Sequence, residues 1–293
     1  MRNFDVTNIT TAVLERVSHA PDARTLAISR ALVRHLHAFI REVEPTFEEW
    51  AAGVEFLTRT GHMCDDKRQE FILLSDALGV SMLVDAIHHR AADGVTPSTV
   101  LGPFHVKGAP ALPFGASLPD PEGLAAREKG EPMLVTGSVK SARGELIADA
   151  LIDVWHSDEN GFYDVQRSSL GDAHAMRARF HSDAQGRFRF WTIRPAAYPI
   201  PHDGPVGEML EAQGRHPWRP AHVHFMIEKP GYRKLVTHVF LAGDAYLDSD
   251  VVFGVKDELI VALAPRRAGE DSSEDGYPES YWHLEYDFGL LPV

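Results

Sequence analysis

Cysteine is almost missing, since Cys64 is the single thiol in 293 residues. An internal disulfide is therefore impossible, and neither a thiolate zinc site nor an iron–sulfur cluster has its ligands. Any bound metal must be held by nitrogen and oxygen, and sixteen histidines are available for that. Positive charge is also scarce: 29 Lys and Arg stand against 42 Asp and Glu, a net charge of -13 at pH 7. That balance argues against nucleic acid or an anionic membrane surface as a partner. No run of about 20 apolar residues occurs, which speaks against a membrane span. The start, Met1-Arg2-Asn3-Phe4-Asp5, lacks the apolar run of a secretory signal, so the expected location is the cytoplasm. Internal repeats, low-complexity tracts and a phosphate-cradling glycine loop are absent as well. The remaining composition, 44% hydrophobic and 24% charged, is that of a globular protein with length enough for a sizeable core.

Apolar residues recur at helical spacing through the first hundred positions. Ile9, Val13 and Val17 form one stripe and Leu32, Leu36, Phe39 and Val43 another, while Thr46 and Glu49 make a capping-box signature ahead of Trp50, Val54 and Leu57. These stripes are expected to pack helices, with part of the surface serving a dimer. In Phe71-Ile72-Leu73-Leu74-Ser75-Asp76-Ala77-Leu78-Gly79, Asp76 follows Leu73 by three residues and shares its face. A carboxylate there needs a partner, ordinarily a helix terminus or an arginine. Proline and glycine end the helical signal at Thr96-Pro97-Ser98-Thr99-Val100-Leu101-Gly102-Pro103-Phe104 and punctuate a connector running to Pro121. Short strands follow, at 133–139, 151–156, 187–191, 222–227, 235–240, 259–263 and 282–288. The fold class is mainly β: a β-sandwich catalytic domain, residues 101–293, behind an α-helical N-terminal domain, residues 1–100.

Candidate chemistry concentrates in Arg219-Pro220-Ala221-His222-Val223-His224-Phe225. In an extended strand His222, His224 and Met226 share one face, and Val223, Phe225 and Ile227 the other. Residues two apart lie roughly 6.6 Å apart along a strand, so both imidazoles can converge on an ion about 2 Å from each nitrogen. A solvated strand face shows the same spacing. Two upstream tyrosines bear on the choice: Tyr163, after the turn Asp158-Glu159-Asn160-Gly161, and Tyr198, between Pro195 and Pro199. Each alone reads equally well as a packed aromatic, and Arg219 alone as half of a salt bridge.

Two tyrosines and an arginine-preceded His-x-His strand, in a sandwich behind helices, resemble the intradiol ring-cleaving dioxygenases. The resemblance covers nearly the whole chain and is most specific at Asp153-Val154-Trp155-His156, Gly161-Phe162-Tyr163 and Arg219-Pro220-Ala221-His222-Val223-His224. Within the family it runs closest to the hydroxyquinol-cleaving members, notably in Leu235-Val236-Thr237-His238-Val239-Phe240 and Tyr246-Leu247-Asp248-Ser249-Asp250.

The resemblance implies one non-haem Fe(III) per chain held by Tyr163, Tyr198, His222 and His224. Two phenolates suit a hard trivalent ion, and such ligation favours Fe(III) over Fe(II), so the organic substrate rather than oxygen is activated. It further implies that a 1,2-dihydroxybenzene is chelated, that Tyr198 takes one of its protons, and that O2 is inserted between the two hydroxylated carbons. Arg219 is implied to stabilise carbanion character on the ring, and His238 stands where catechol-cleaving members tend to have glutamine. The implied pocket wall is Leu73, Asp76, Val100, Leu101, Gly102, Pro103 and Phe104, with Asp76 accepting a hydrogen bond from a third ring hydroxyl. The implied substrate is hydroxyquinol (1,2,4-trihydroxybenzene), cleaved to 3-hydroxy-cis,cis-muconate, the enol of maleylacetate; catechol or a chlorocatechol is the alternative. The family also implies a homodimer formed through the N-terminal helices. Two rivals remain open on the residues alone: a cupin-type site of His222, His224 and Glu228, and a β-sandwich binding module with solvated histidines.

Overall fold

The computed structural model describes residues 2–65, 68–90, 92–120, 130–267 and 279–293; Pro121, the expected end of the connector, lies outside them. The chain divides into two compact units, Met1–Arg59 and Thr60–Val293.

The smaller unit holds α1 (Ile9–Val17), α2 (Ala23–Val43) and most of α3 (Phe47–His62). Asp22 caps α2 by accepting the backbone N–H of Arg24 and of Thr25, both at 2.9 Å. The expected capping box forms: Glu49 accepts the Thr46 N–H at 2.8 Å and Thr46 accepts the Glu49 N–H at 3.2 Å. Helix α1 packs on α2, where the Thr10 hydroxyl meets Nδ1 of His37 at 2.9 Å, but the α2 stripe stays uncovered within the chain. Alpha-helix α2 buries no residue, and Leu32, Leu36, Phe39 and Val43 are 63, 52, 56 and 53% exposed.

The larger unit contains α4 (Glu70–Ala77), α5 (Val80–His88) and α6 (Pro205–Ala212). Its strands, in chain order, are β1 (Pro132–Ser141), β2 (Leu151–His156), β3 (Arg177–His181), β4 (Arg187–Ile193), β5 (Tyr198–Pro199) and β6 (Trp218–Arg219). They continue with β7 (His222–Glu228), β8 (Leu235–Leu241), β9 (Ile260–Val261), β10 (Ala264–Arg267), β11 (Ser280–Glu285) and β12 (Phe288–Leu290). One sheet runs β10-β11-β1-β12 with β4 also on β1, the other β3-β2-β7-β8-β9, and β5 and β6 form a separate ribbon. The two sheets share a core in which Val135, Phe188, Phe190 and Leu284 from one meet Ile152, Val154, Val223 and Phe225 from the other. Ring centroids of Phe180 and Phe190 are 5.1 Å apart and those of Phe225 and Phe288 4.7 Å apart, so the sheets interdigitate as a sandwich does.

Two expected strands differ in detail. Residues 282–288 break into β11 and β12, which pair in turn with the two halves of β1, Met133–Thr136 and then Val139–Ser141. Gly137 permits the change: a Cβ there would lie 1.8 Å from the Tyr286 carbonyl oxygen. Residues 259–263 keep only a two-residue strand after a 3-10 turn, Asp257–Leu259. Strand β7 sits inside its sheet, with Val223, Phe225 and Ile227 in the shared core. His222 and His224 consequently face away from that core, and neighbours on the same face are Trp155 of β2 and His238 of β8, both opposite His224.

Candidate active site

Four donor atoms from three segments converge on the outer face of β7. Nε2 of His222 and Nε2 of His224 lie 3.1 Å apart, and the Tyr163 hydroxyl lies 3.1 Å from the latter. Tyr163 and Tyr198 are hydrogen-bonded through their hydroxyls, with ring centroids 5.1 Å apart. None of the four side chains is more than 2% exposed. Tyr163 is placed by the turn before it, where Gly161 (φ +85°) brings its segment against Ala197 and Tyr198, and by Arg177. The Arg177 guanidinium pairs with Asp164 and donates to the Phe104 carbonyl at 2.9 Å, and Phe104 stacks on Tyr163 at 4.5 Å. Tyr198 is not on a free loop. It pairs with Arg219 across the β5–β6 ribbon, which sets the phenol oxygen 3.4 Å from Nη1 of Arg219.

These residues fit a single cation. His222 Nδ1 donates to the Pro220 carbonyl at 2.7 Å, which leaves a lone pair on Nε2. Nε2 of His224 stands 3.1 Å from both Nε2 of His222 and the Tyr163 oxygen, the spacing of atoms about 2.1 Å from a common ion. Burial lowers His222 to about 3, with Arg219 adding to the effect, and it pushes His224 well below the ordinary imidazole value, so both are in the neutral, metal-binding form. Burial, and Tyr198 beside it, push the Tyr163 phenol well above 10; a bound cation of high charge reverses that by favouring the phenolate. His238 joins the cluster, its nearest nitrogen within 4.8 Å of the other two histidines, yet its Nδ1 faces Nη2 of Arg219 at 3.4 Å. A guanidinium only donates, so Nδ1 is the accepting nitrogen and the proton is on Nε2, which keeps His238 out of the ligand set. Glu228 is 42% exposed and paired with Lys234 at 2.6 Å, outside the cluster, and the histidines are buried rather than solvated, so neither rival reading matches the geometry.

Residues 102–292 match the family model described as "Dioxygenase" and residues 22–96 the one described as "Catechol dioxygenase N terminus". The chain is 54% identical over 293 residues to the 6-chlorohydroxyquinol 1,2-dioxygenase of Cupriavidus pinatubonensis, covering 100% of both chains. This chain belongs to the intradiol ring-cleavage dioxygenases. It is 44% identical over 279 residues to the hydroxyquinol 1,2-dioxygenase of a Rhizobium species, covering 95% of this chain and 92% of that one. Among solved structures, the hydroxyquinol 1,2-dioxygenase of Pseudomonas putida superposes with a TM-score of 0.88 at 46% identity, covering 98% of this chain and 99% of that one.

A cavity of about 620 Å³ is lined by Leu73, Pro103 and Phe104, whose ring stacks on Tyr163, together with Arg68, Glu70 and Asp203; Asp76, Val100, Leu101, Gly102 and the four donors of the dioxygenase are not among its lining residues. Leu73 and Val100 pack with Val251 and Val252, and a Cβ on Gly102 (φ +75°) would touch Cε1 of His224 at 3.4 Å. Leu101 points partly outward, 41% exposed. Asp76 is 3% exposed and hydrogen-bonds Ser81; burial raises its carboxyl above the ordinary value, and Arg219 works against that rise. A larger cavity, about 890 Å³, touches none of these residues, and its Lys140 and Lys256 are paired with Asp287 and Asp85.

Sequence reasoning missed two neighbours of the cluster. Trp155 stacks on His224, centroids 4.6 Å apart at 14°. Asp250 grips Arg219, accepting Nε–H at 3.0 Å and Nη2–H at 3.1 Å. Both stand in motifs that carry the family resemblance, the one signal that could have found them; in the fold an arginine 2% exposed demands an anion, and Asp250 supplies it.

Proposed function

We propose that this dioxygenase holds one ferric ion per chain through Tyr163, Tyr198, His222 and His224 and cleaves hydroxyquinol to 3-hydroxy-cis,cis-muconate. The observation that carries the reading is the approach of two buried phenol oxygens and two buried Nε2 atoms to one another; Asp76, buried on α4 three residues after the cavity-lining Leu73, supports the contact to a third hydroxyl. When bound, the ion supplies Lewis acidity toward both oxygens of a 1,2-diol and draws on its ring electrons, which readies the ring for O2.

The chain's own residues supply the rest. Tyr198 accepts a substrate proton, and its hydroxyl then rests against Nη1 of Arg219, 3.4 Å away, an advantage Tyr163 lacks. Arg219 stabilises negative charge developing on the ring; a preorganised donor of this kind is worth about 2.7 to 4 kcal/mol. His238 braces Arg219 from β8. Leu73, Val100, Gly102, Pro103 and Phe104 hold the flat ring, with Leu101 at the outer margin, and Asp76 accepts a hydrogen bond from the third hydroxyl, which catechol lacks. The enzyme acts in the cytoplasm as a homodimer joined through its N-terminal helices, a reading supported by the apolar face that α2 leaves exposed.

Supplying hydroxyquinol and catechol in parallel under oxygen, with identification of the products, tests the reading. A reddish, iron-containing protein that forms mainly 3-hydroxy-cis,cis-muconate is the expected result. Preferential formation of plain muconate from catechol would overturn the substrate assignment, and a colourless, zinc-loaded protein would overturn the iron.

A further inference from the structure

The guanidinium of Arg219 spends its two edges differently. Nε and Nη2 face Asp250, and the second hydrogen of Nη2 is directed at Nδ1 of His238, 3.4 Å away. Nη1 faces the Tyr198 oxygen at 3.4 Å and Nε2 of His222 at 3.3 Å. An ion on Nε2 of His222 would take up that nitrogen's single lone pair, so the Nη1 hydrogen facing it is the one left for the substrate while Tyr198 keeps the other. The orientation of that edge is decided on the opposite side. Asp250 is 5% exposed and is itself held by the backbone: its Oδ2 accepts the Gly254 N–H at 2.9 Å and its Oδ1 the Val252 N–H at 3.4 Å. Gly254 fits beneath this pair because it has no side chain; a Cβ there would lie 3.0 Å from Nη2 and 3.1 Å from Oδ2. The loop closes at Phe253, whose φ of +60° is rare for a phenylalanine, and the guanidinium of Arg215 covers its ring at 5.1 Å.

We propose that Asp250 is a positioning residue of the ring-cleavage reaction, clamping Arg219 from behind through a loop whose floor is Gly254, so that Nη1 is aimed at the metal-bound substrate. The inference rests on the proposed role of Arg219. A bidentate carboxylate fixes the plane of the guanidinium as well as its position, and a single neutral acceptor does not. Among the described residues the hydrogen bonds of Asp250 go to Arg219 and to its own loop, none to a proposed ligand, so its hold on the site runs through Arg219.

The test compares iron-loaded wild-type enzyme with Asp250→Asn and Gly254→Ala. In Asp250→Asn the amide nitrogen turns a donor toward a donor edge; iron content and tyrosinate absorption should match wild type, KM should stay within about threefold, and kcat should fall roughly 100-fold. Gly254→Ala keeps both charges but presses on Nη2 and Oδ2 together, shifting the clamp, so it should lower kcat roughly 10-fold with the absorption unchanged. The second variant carries the test if the first does not fold. Wild-type kcat in either folded variant, or a loss of activity matched by loss of iron, would overturn the positioning role. Wild-type enzyme that failed to cleave the diol would instead bring down the proposed reaction, and this inference with it.

Discussion

Asp76 shows what a single carboxyl costs and what it can supply. Burial raises it above its ordinary value of 3.8, so in the folded protein its ionised form is disfavoured. A carboxyl raised by folding contributes favourably only at low pH and loses that contribution as pH climbs through the raised value; near neutrality the charged group is a burden on stability. Asp76→Asn should therefore raise Tm at pH 7, with the difference closing as pH falls below 3.8. Asp76→Ala should lower kcat/KM for hydroxyquinol on the order of 100-fold and leave catechol turnover within a few-fold, since the site loses its acceptor for the third hydroxyl. Equal losses on both substrates, measured side by side, would remove Asp76 from substrate selection.

At the scale of elements, β2 and β7 divide their residues cleanly between core and site. His156 ends β2 on the core face, opposite Val223, sealed by hydrogen bonds to the Ser157 carbonyl and the Thr192 hydroxyl, both at 2.6 Å. Burial pulls its pKa down to about 4 from 6.5, so it is neutral in the fold. A histidine depressed by folding contributes stability that is complete above 6.5 and drains away as pH falls toward about 4, a loss on the order of 3 kcal/mol. A series of Tm measurements from pH 7.5 down to 4 should show this acid limb, and His156→Gln should flatten it at the expense of some stability at neutral pH. Parallel acid limbs in both proteins would exclude His156 as the titrating group. The alternation of β7 was legible in the sequence because its two faces have different chemistry. The β5–β6 ribbon was not, because two residues carry no period.

For the molecule as a whole, the exposed face of α2 is the feature that a monomer leaves unexplained. Leu32, Leu36, Phe39 and Val43 form an apolar stripe on a helix with no buried residue. The proposed homodimer buries it, and Leu36→Glu with Phe39→Glu should yield a monomer by light scattering under conditions where the parent protein is dimeric. A double variant with the parent's mass would place the interface elsewhere. Among the described residues no single helix is long and apolar enough to cross a membrane; α4 and α5 pass such a test only as a pair bent by 74°.

The sequence by itself determined that helices precede strands, where β1, β2, β4, β7 and β8 lie, the core face of β7 and the types of residue available to a metal, since periodicity and residue chemistry are local properties; β3, α6 and the short strands escaped it. It named Tyr163, Tyr198, His222, His224 and Arg219 as candidates through motifs, without showing that they meet. Their meeting was decided by tertiary structure: the β5–β6 register that sets Tyr198 beside Arg219, the glycine turn that brings Tyr163 against Tyr198, and the loop that returns Asp250 to Arg219 from 31 residues further along. Those contacts depend on which distant segments the sandwich brings together. A pattern confined to neighbouring residues cannot encode them, because the buried charge of Arg219 finds its counter-ion only after the chain has closed around it.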